Sequence, residues 1–202
     1  MFITFEGPEG SGKSTQIKML LERLKQEKIP YTKTFEPGGT PLGQEIRKLL
    51  LHRPEPMAER AELFLYAADR AEHVKTVIKP ALERGEVVIC DRYYHSTMAY
   101  QGYGRGISLE LIRNIMDIAI SDAEPERVFL IDVPVEEGFK RIKTSGRDKD
   151  RIESEALSFH QRLREGYLEM AQKEEERFLV LDGTRSPEEI HEKIWDEVKR
   201  CL

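Results

Sequence analysis

Short apolar runs and longer stretches carrying a single apolar stripe take turns along this chain. Phe2 to Phe5, Val87 to Cys90, Val128 to Val133 and Phe178 to Leu181 are nearly unbroken runs of β-branched, aromatic or aliphatic residues, the pattern of strands buried on both faces. A weaker strand is predicted near Tyr31 to Phe35. Between these runs apolar residues recur every third or fourth position. Ile17, Leu20, Leu21 and Leu24 predict a helix starting at about Ser14, and Leu42, Ile46, Leu49 and Leu50 predict a second after the turn Glu36-Pro37-Gly38-Gly39-Thr40. A long helical stretch is expected from Met57 to about His73, another ends at Gly85, and a third runs from about Leu109 to Ile120. Gln101-Gly102-Tyr103-Gly104-Arg105-Gly106 reads as a glycine-rich loop. Helices on either side of a basic segment, and a last one from Pro187, complete the order.

Four or five strand-then-helix units predict an α/β fold of three layers, a parallel sheet flanked by helices, with ligands at the carboxyl ends of the strands. No repeat, low-complexity tract or interdomain linker interrupts the pattern, so residues 1–202 are expected to form one domain with a short basic lid at about 141–152.

Composition narrows the function classes. Lys plus Arg number 32 against 37 for Asp plus Glu, a net charge of −5, which argues against a general nucleic-acid binder. No apolar run approaches the roughly 18 to 20 residues that span a bilayer, and the first strand starts at once, so a cytoplasmic protein without a signal peptide is expected. Cys90 and Cys201 fit that compartment as free thiols, since a bridge would tie a core strand to the terminus. The 34% charged content fits solvated helix faces or growth at high temperature.

The chemistry concentrates at three places. Gly7 to Thr15, with Pro8, Glu9, Gly10, Ser11 and Gly12 leading to Lys13 and Ser14, match the spacing G-x-x-x-x-G-K-[ST] between a strand and a helix. Such a loop aims backbone N–H groups at phosphate oxygens, brings the lysine to the β- and γ-phosphates and offers the Ser14 hydroxyl to Mg²⁺. Asp91 and Arg92 follow the strand Val87 to Cys90; the acid there can serve the metal and the guanidinium a transferred phosphoryl group, although an aspartate at a strand end also serves as a turn residue. The run Lys140 to Arg151 carries six basic residues against Asp148 and Asp150. It reads as a lid that closes over nucleotide and excludes water, the alternative being a solvated helix end. Tyr66 and Arg70, four apart, place an aromatic face and a guanidinium on one side of a helix; Tyr66 is either a base platform or core. Glu9 opposes the phosphates by charge and points to a hydroxyl or metal contact, or simply outward.

In order, GPEGSGKST, EPGGT with Gly43 and Arg47, FLYAADRAEH and DRYYHSTMAYQG resemble the thymidylate kinase family, and the likeness runs from Phe2 to the final helix. The resemblance implies a P-loop nucleoside monophosphate kinase fold that converts ATP and dTMP to ADP and dTDP with Mg²⁺ for dTTP synthesis, as a homodimer. By the same resemblance Gly7 to Thr15 hold the ATP phosphates. Arg47 and Arg92 hold the dTMP phosphate, Pro37 lines its pocket, and Glu9 meets the sugar 3′-hydroxyl side. Tyr66 stacks on thymine, Arg70 bonds its O4, Ser96, Thr97 and Gln101 lie near the base, and Tyr100 blocks a ribose 2′-hydroxyl. The phosphate loop has no arginine, so the chain resembles the branch whose catalytic arginine comes from the lid, with Arg147 or Arg151 as candidates. Arg141 and the Thr184-Arg185 turn are the expected adenine contacts.

Three rivals fare worse on the residues. A GTPase switch would show N-K-x-D and D-x-x-G motifs, and neither occurs. A nucleoside kinase acts on a neutral hydroxyl and has no need of both Arg47 and Arg92. A non-catalytic ATP-binding module would not retain this many chemical groups.

Overall fold

In the computed structural model, residues 1–51, 55–144, 151–152 and 154–202 are described. Five strands, β1 (Phe2–Glu6), β2 (Tyr31–Phe35), β3 (Val87–Asp91), β4 (Arg127–Asp132) and β5 (Phe178–Asp182), pair in parallel in the order β2-β3-β1-β4-β5. β1 lies between β3, where Thr4 faces Cys90, and β4, where Phe5 faces Phe129. β1, β3 and β4 are buried on consecutive positions because both faces of the sheet's middle are covered. Ile3, Phe5, Ile89, Phe129 and Ile131 point to the face covered by α1 (Lys13–Gln26) and α9 (Pro187–Cys201), through Ile17, Leu20, Leu24, Ile194 and Trp195. Phe2, Val88 and Cys90 point the other way, under Val74, Ile78, Ile112 and Met116. Val128 and Leu130 meet Leu163 and Tyr167 of α8 (Leu157–Lys173).

α2 (Pro41–Leu51) and α3 (Glu59–His73) pack side by side, and α3 runs through a wide turn at Val74–Ile78 into α4 (Lys79–Glu83). α5 (Tyr94–Thr97) leads into another wide-turn segment, Met98–Gly104, followed by α6 (Leu109–Ile120) and, after β4, α7 (Val135–Thr144). The segment from Gln101 was expected to be a loop, and its glycines serve packing instead. A Cβ on Gly102 would strike Leu109, and one on Gly104 would strike the Phe159 ring. Glycine therefore marks close approach of α6 and α8 here rather than a break in the helix. The lid segment is covered in part: its first residues belong to α7, Arg151 and Ile152 are described, and 145–150 with 153 lie outside the described residues, Arg147 among them.

Candidate functional site

The carboxyl ends of β1 and β3 open into one cavity of about 770 Å³. Its wall includes residues of the phosphate loop together with Pro37, Arg47, Tyr66, Arg70 and Tyr100. Three residues of the phosphate loop have positive φ, Gly7 at 138°, Gly10 at 70° and Gly12 at 102°. Gly10 also lies so close to α7 that a Cβ would enter the Gly138 carbonyl. Lys13 opens α1 and folds back over the loop: its Nζ donates to the carbonyls of Gly7 (3.0 Å) and Pro8 (3.2 Å) and lies 3.5 Å from the Ser11 hydroxyl. Burial, with the charge of Arg92 next, pulls the Lys13 pKa down to about 8.

Arg92 follows β3 with φ 69°, a left-handed conformation that costs a branched or long side chain of order 1–3 kcal/mol and collects at functional sites. The turn aims the guanidinium at the phosphate loop. It donates to the Gly7 carbonyl (3.1 Å), to Ser96 Oγ (3.2 Å), to Tyr167 Oη (3.3 Å) and to Glu9 (3.2 Å), and it stands 5.1 Å over the Tyr100 ring. Burial opposes its charge, while Tyr100, Tyr167, Glu9 and Asp91 more than restore it. Tyr100 donates to the same carboxylate oxygen of Glu9. Burial would raise the Glu9 pKa, yet His160, Arg92, Lys13 and Tyr100 hold it at about 2, so Glu9 is an anion inside an anion-binding loop. It therefore points inward, into the wall shared with Tyr100 and Arg92.

Tyr66 is half-buried on the cavity wall rather than sealed in the core, four residues from Arg70 on α3. Arg70 is buried; its Nε donates to Glu36 (2.7 Å) and its Nη1 to Thr97 (2.9 Å). Glu36, not singled out from the sequence, offsets the cost of burying that charge. Arg47 donates to the Pro37 carbonyl (2.8 Å) and covers the Phe35 ring. Gln101 is buried and donates to Glu62 (2.8 Å). Arg141 donates to the Gly183 carbonyl (3.0 Å), next to Arg185 on the wall, so both expected adenine contacts meet beside the phosphate loop. Arg151 is held away from the phosphate loop, donating to the Leu50 carbonyl (2.9 Å) and to Glu62.

Three further polar residues shape the site. Glu6, the last residue of β1, accepts from the Tyr93 N–H (2.8 Å), from Ser96 Oγ (2.6 Å) and from Tyr167 Oη (3.0 Å). Tyr167 and His160 are seven apart on α8 and so share a face; His160 Nδ1 lies 3.6 Å from Glu9. A carboxylate closing the run Phe2 to Phe5 was the one signal for Glu6 in the sequence. For Ser14 and Asp91 the test is donor chemistry. Both line the cavity and both supply hard oxygens, which suits Mg²⁺ held mainly by phosphate and water. No group of three or more His, Cys, Asp or Glu that could hold a metal occurs among the described residues.

A phosphate loop facing, across one cavity, two arginines and an aromatic wall is the arrangement of an enzyme that moves a phosphoryl group between two anionic substrates. The family model for thymidylate kinase matches residues 5–194. This chain belongs to the thymidylate kinase family. A thymidylate kinase of Halothermothrix orenii is 50% identical, covering 100% of this chain and 98% of the relative. One from Carboxydothermus hydrogenoformans is also 50% identical, over 96% and 94% of the two chains. The crystal structure of thymidylate kinase from Ehrlichia chaffeensis superposes with TM-score 0.79 at 35% identity, covering 98% of each chain. The fold is thus that of P-loop kinases, and the enzyme is a phosphotransferase.

Proposed function

We propose that this protein transfers the γ-phosphoryl group of ATP to the 5′-phosphate of dTMP, giving ADP and dTDP for dTTP synthesis. The observation that carries the reading is the single cavity in which the phosphate loop faces Arg47, Arg92, Arg70, Tyr66 and Tyr100. A dTMP phosphate oxygen already carries negative charge, so the reaction needs alignment and charge neutralisation rather than a strong base. The loop N–H groups and Lys13 hold the donor phosphates; burial and Arg92 lower the Lys13 pKa to about 8, and the negative charge of the phosphates favours its protonated form. Arg92 and Arg47 bring the acceptor phosphate in line, so that the new P–O bond forms as the bond from the γ-phosphorus to the ADP oxygen breaks. Glu9 meets the sugar on its 3′ side, with Tyr100 beside it crowding the 2′ position. Ser14 and Asp91 would hold Mg²⁺, which would supply neutralisation of the phosphates' negative charge. Arg151 or Arg147 adds the remaining positive charge; for Arg151 this requires release from Glu62 as the basic segment closes.

The proposed location is the cytoplasm, where ATP and free deoxynucleotides meet. No helix among the described residues is long and apolar enough to cross a membrane. The proposed macromolecular partner is a second copy of the chain. Leu42 and Leu49 on α2, Phe64 on α3 and Leu111 and Ile118 on α6 are exposed, and α3 packs against both α2 and α6. Sedimentation as a monomer would contradict it. The catalytic reading is tested by ADP release with dTMP against thymidine as acceptor. Turnover with dTMP alone is expected; equal turnover of thymidine would mean that Arg47 and Arg92 do not serve an acceptor phosphate.

A further inference from the structure

Behind Arg70 lies a buried polar row that the transfer chemistry does not use. Thr34 is the last residue but one of β2, Glu36 follows the strand, and His73 sits three residues after Arg70 on the same side of α3. The side chains of Arg70, Glu36 and His73 are 2%, 2% and 0% exposed, so every polar atom there needs a protein partner. Glu36 supplies both. Its Oε2 takes the Nε and Nη2 of Arg70, each at 2.7 Å, while its Oε1 takes His73 Nδ1 at 2.8 Å. His73 Nε2 is in turn fixed by the Thr34 hydroxyl at 2.5 Å.

The turn after β2 is shaped to admit this row. A Cβ on Gly39 would lie 2.6 Å from His73 Nε2 and 2.8 Å from Thr34 Oγ1, and one on Gly43 would strike the Asp69 carboxylate. Asp69 itself accepts from the Gly38 N–H at 3.0 Å. Two side chains are therefore given up so that α3 can grip the turn with polar groups, where an aliphatic residue in place of His73 would fill the space with no polar atom to satisfy.

We propose that His73 is a positioning residue for base recognition: by occupying one oxygen of Glu36 it fixes the plane in which the other holds Arg70, and so the angle at which Arg70 meets the base of the acceptor. The inference rests on the reading that Arg70 bonds the thymine O4. Without the His73 N–H, the carboxylate can rotate and the guanidinium follows it, while Thr97 holds only one end. Base discrimination then suffers before transfer chemistry does.

The test compares kcat/KM for dTMP and dCMP in the full-length protein and in His73→Leu, His73→Asn and Arg70→Lys. His73→Leu is expected to cut the dTMP/dCMP ratio by roughly tenfold to a hundredfold, the worth of a buried hydrogen bond to a charged group, with the KM for ATP unchanged. His73→Asn, whose amide N–H can take the Nδ1 place, is expected to restore most of the ratio. If His73→Leu lowers the melting temperature and leaves the ratio at the wild-type value, the residue is merely structural and the inference is overturned. Arg70→Lys separates the two readings. A collapsed ratio there with an unchanged one in His73→Leu sinks the positioning role alone, whereas an unchanged ratio in Arg70→Lys sinks the base contact and the inference with it. Should His73→Leu not fold, the wild type decides. Its His73 Nδ1–H resonance is expected to shift on adding dTMP and to shift differently with dCMP; identical spectra would overturn the proposal.

Discussion

Replacing Lys13 by methionine should stabilise the nucleotide-free protein near neutral pH while removing turnover. Lys13 is only 8% exposed, and burial with the neighbouring Arg92 charge lowers its pKa from the ordinary 10.5 to about 8 against the pull of Asp91, Glu9 and Glu6. The folded chain thus holds this proton less tightly than the unfolded chain does. At neutral pH the charged lysine costs about 3 kcal/mol, at 1.36 kcal/mol for each tenfold loss of proton affinity. Between pH of about 8 and 10.5 the unfolded state binds more protons, so wild-type stability rises with pH and the cost fades. Methionine keeps the stem and removes the charge, and it takes the lysine's hydrogen bonds from the Gly7 carbonyl, which keeps Arg92 as a donor, and from the Pro8 carbonyl, which takes back roughly 1–2 kcal/mol. The expected net gain is ~1–2 kcal/mol at about pH 7, gone or reversed by about pH 10. Urea unfolding of both proteins at the two pH values, without nucleotide, measures it. ATP should then stabilise the wild type far more than the variant, because only the wild type gains the lysine's contact with phosphate. A Lys13→Met protein less stable than wild type at neutral pH, or a stability difference that does not change with pH, would refute the argument.

Arg92→Ala removes the charge that the left-handed turn after β3 aims at the phosphate loop, and kcat should fall by about 10²–10³ in the ADP-release assay while the melting temperature stays close to wild type. Substituting both Arg147 and Arg151 by alanine should lower kcat far more than it raises KM for dTMP, since these groups engage mainly in the transition state; loss of dTMP affinity alone would make the basic segment a docking surface. Gly10→Ala puts a Cβ into the Gly138 carbonyl at a φ of 70°, a backbone cost of ~1–3 kcal/mol that thermal unfolding should register, together with weaker ATP binding.

Much of the fold was legible because the sheet is covered on both faces. Runs such as Val87 to Ile89 have no solvent side to show, and the stripe Ile17, Leu20, Leu24 has one face to bury. Glycine misled between Gln101 and Gly106, since local punctuation and close helix packing use the same residue and only the partners, Leu109 and Phe159, tell them apart. The phosphate loop was legible as a contiguous motif, and the Tyr66 and Arg70 pair as a helical spacing. The groups that hold the site residues in place were not. Glu6 with Tyr167, Glu36 with His73 and Arg151 with Glu62 pair across 161, 37 and 89 residues of chain, and a polar residue gives no pattern to show which distant partner will satisfy it. Arg151 illustrates the limit: its candidate role comes from the family resemblance, and nothing in the sequence showed that it pairs with the buried Glu62.

The central claim is that the cavity reads a thymine deoxynucleotide. Measuring wild-type kcat/KM for dTMP, dCMP and the ribonucleotide counterpart of dTMP, with ATP saturating, tests it most directly. The exocyclic amine of cytosine would face the Arg70 donor, and a 2′-hydroxyl would meet Tyr100, each leaving a buried group unpaired or crowded. The account predicts dTMP favoured over both by roughly tenfold or more, with Tyr100→Ala narrowing the ribose gap alone. Equal use of dCMP and dTMP by the wild type would contradict it.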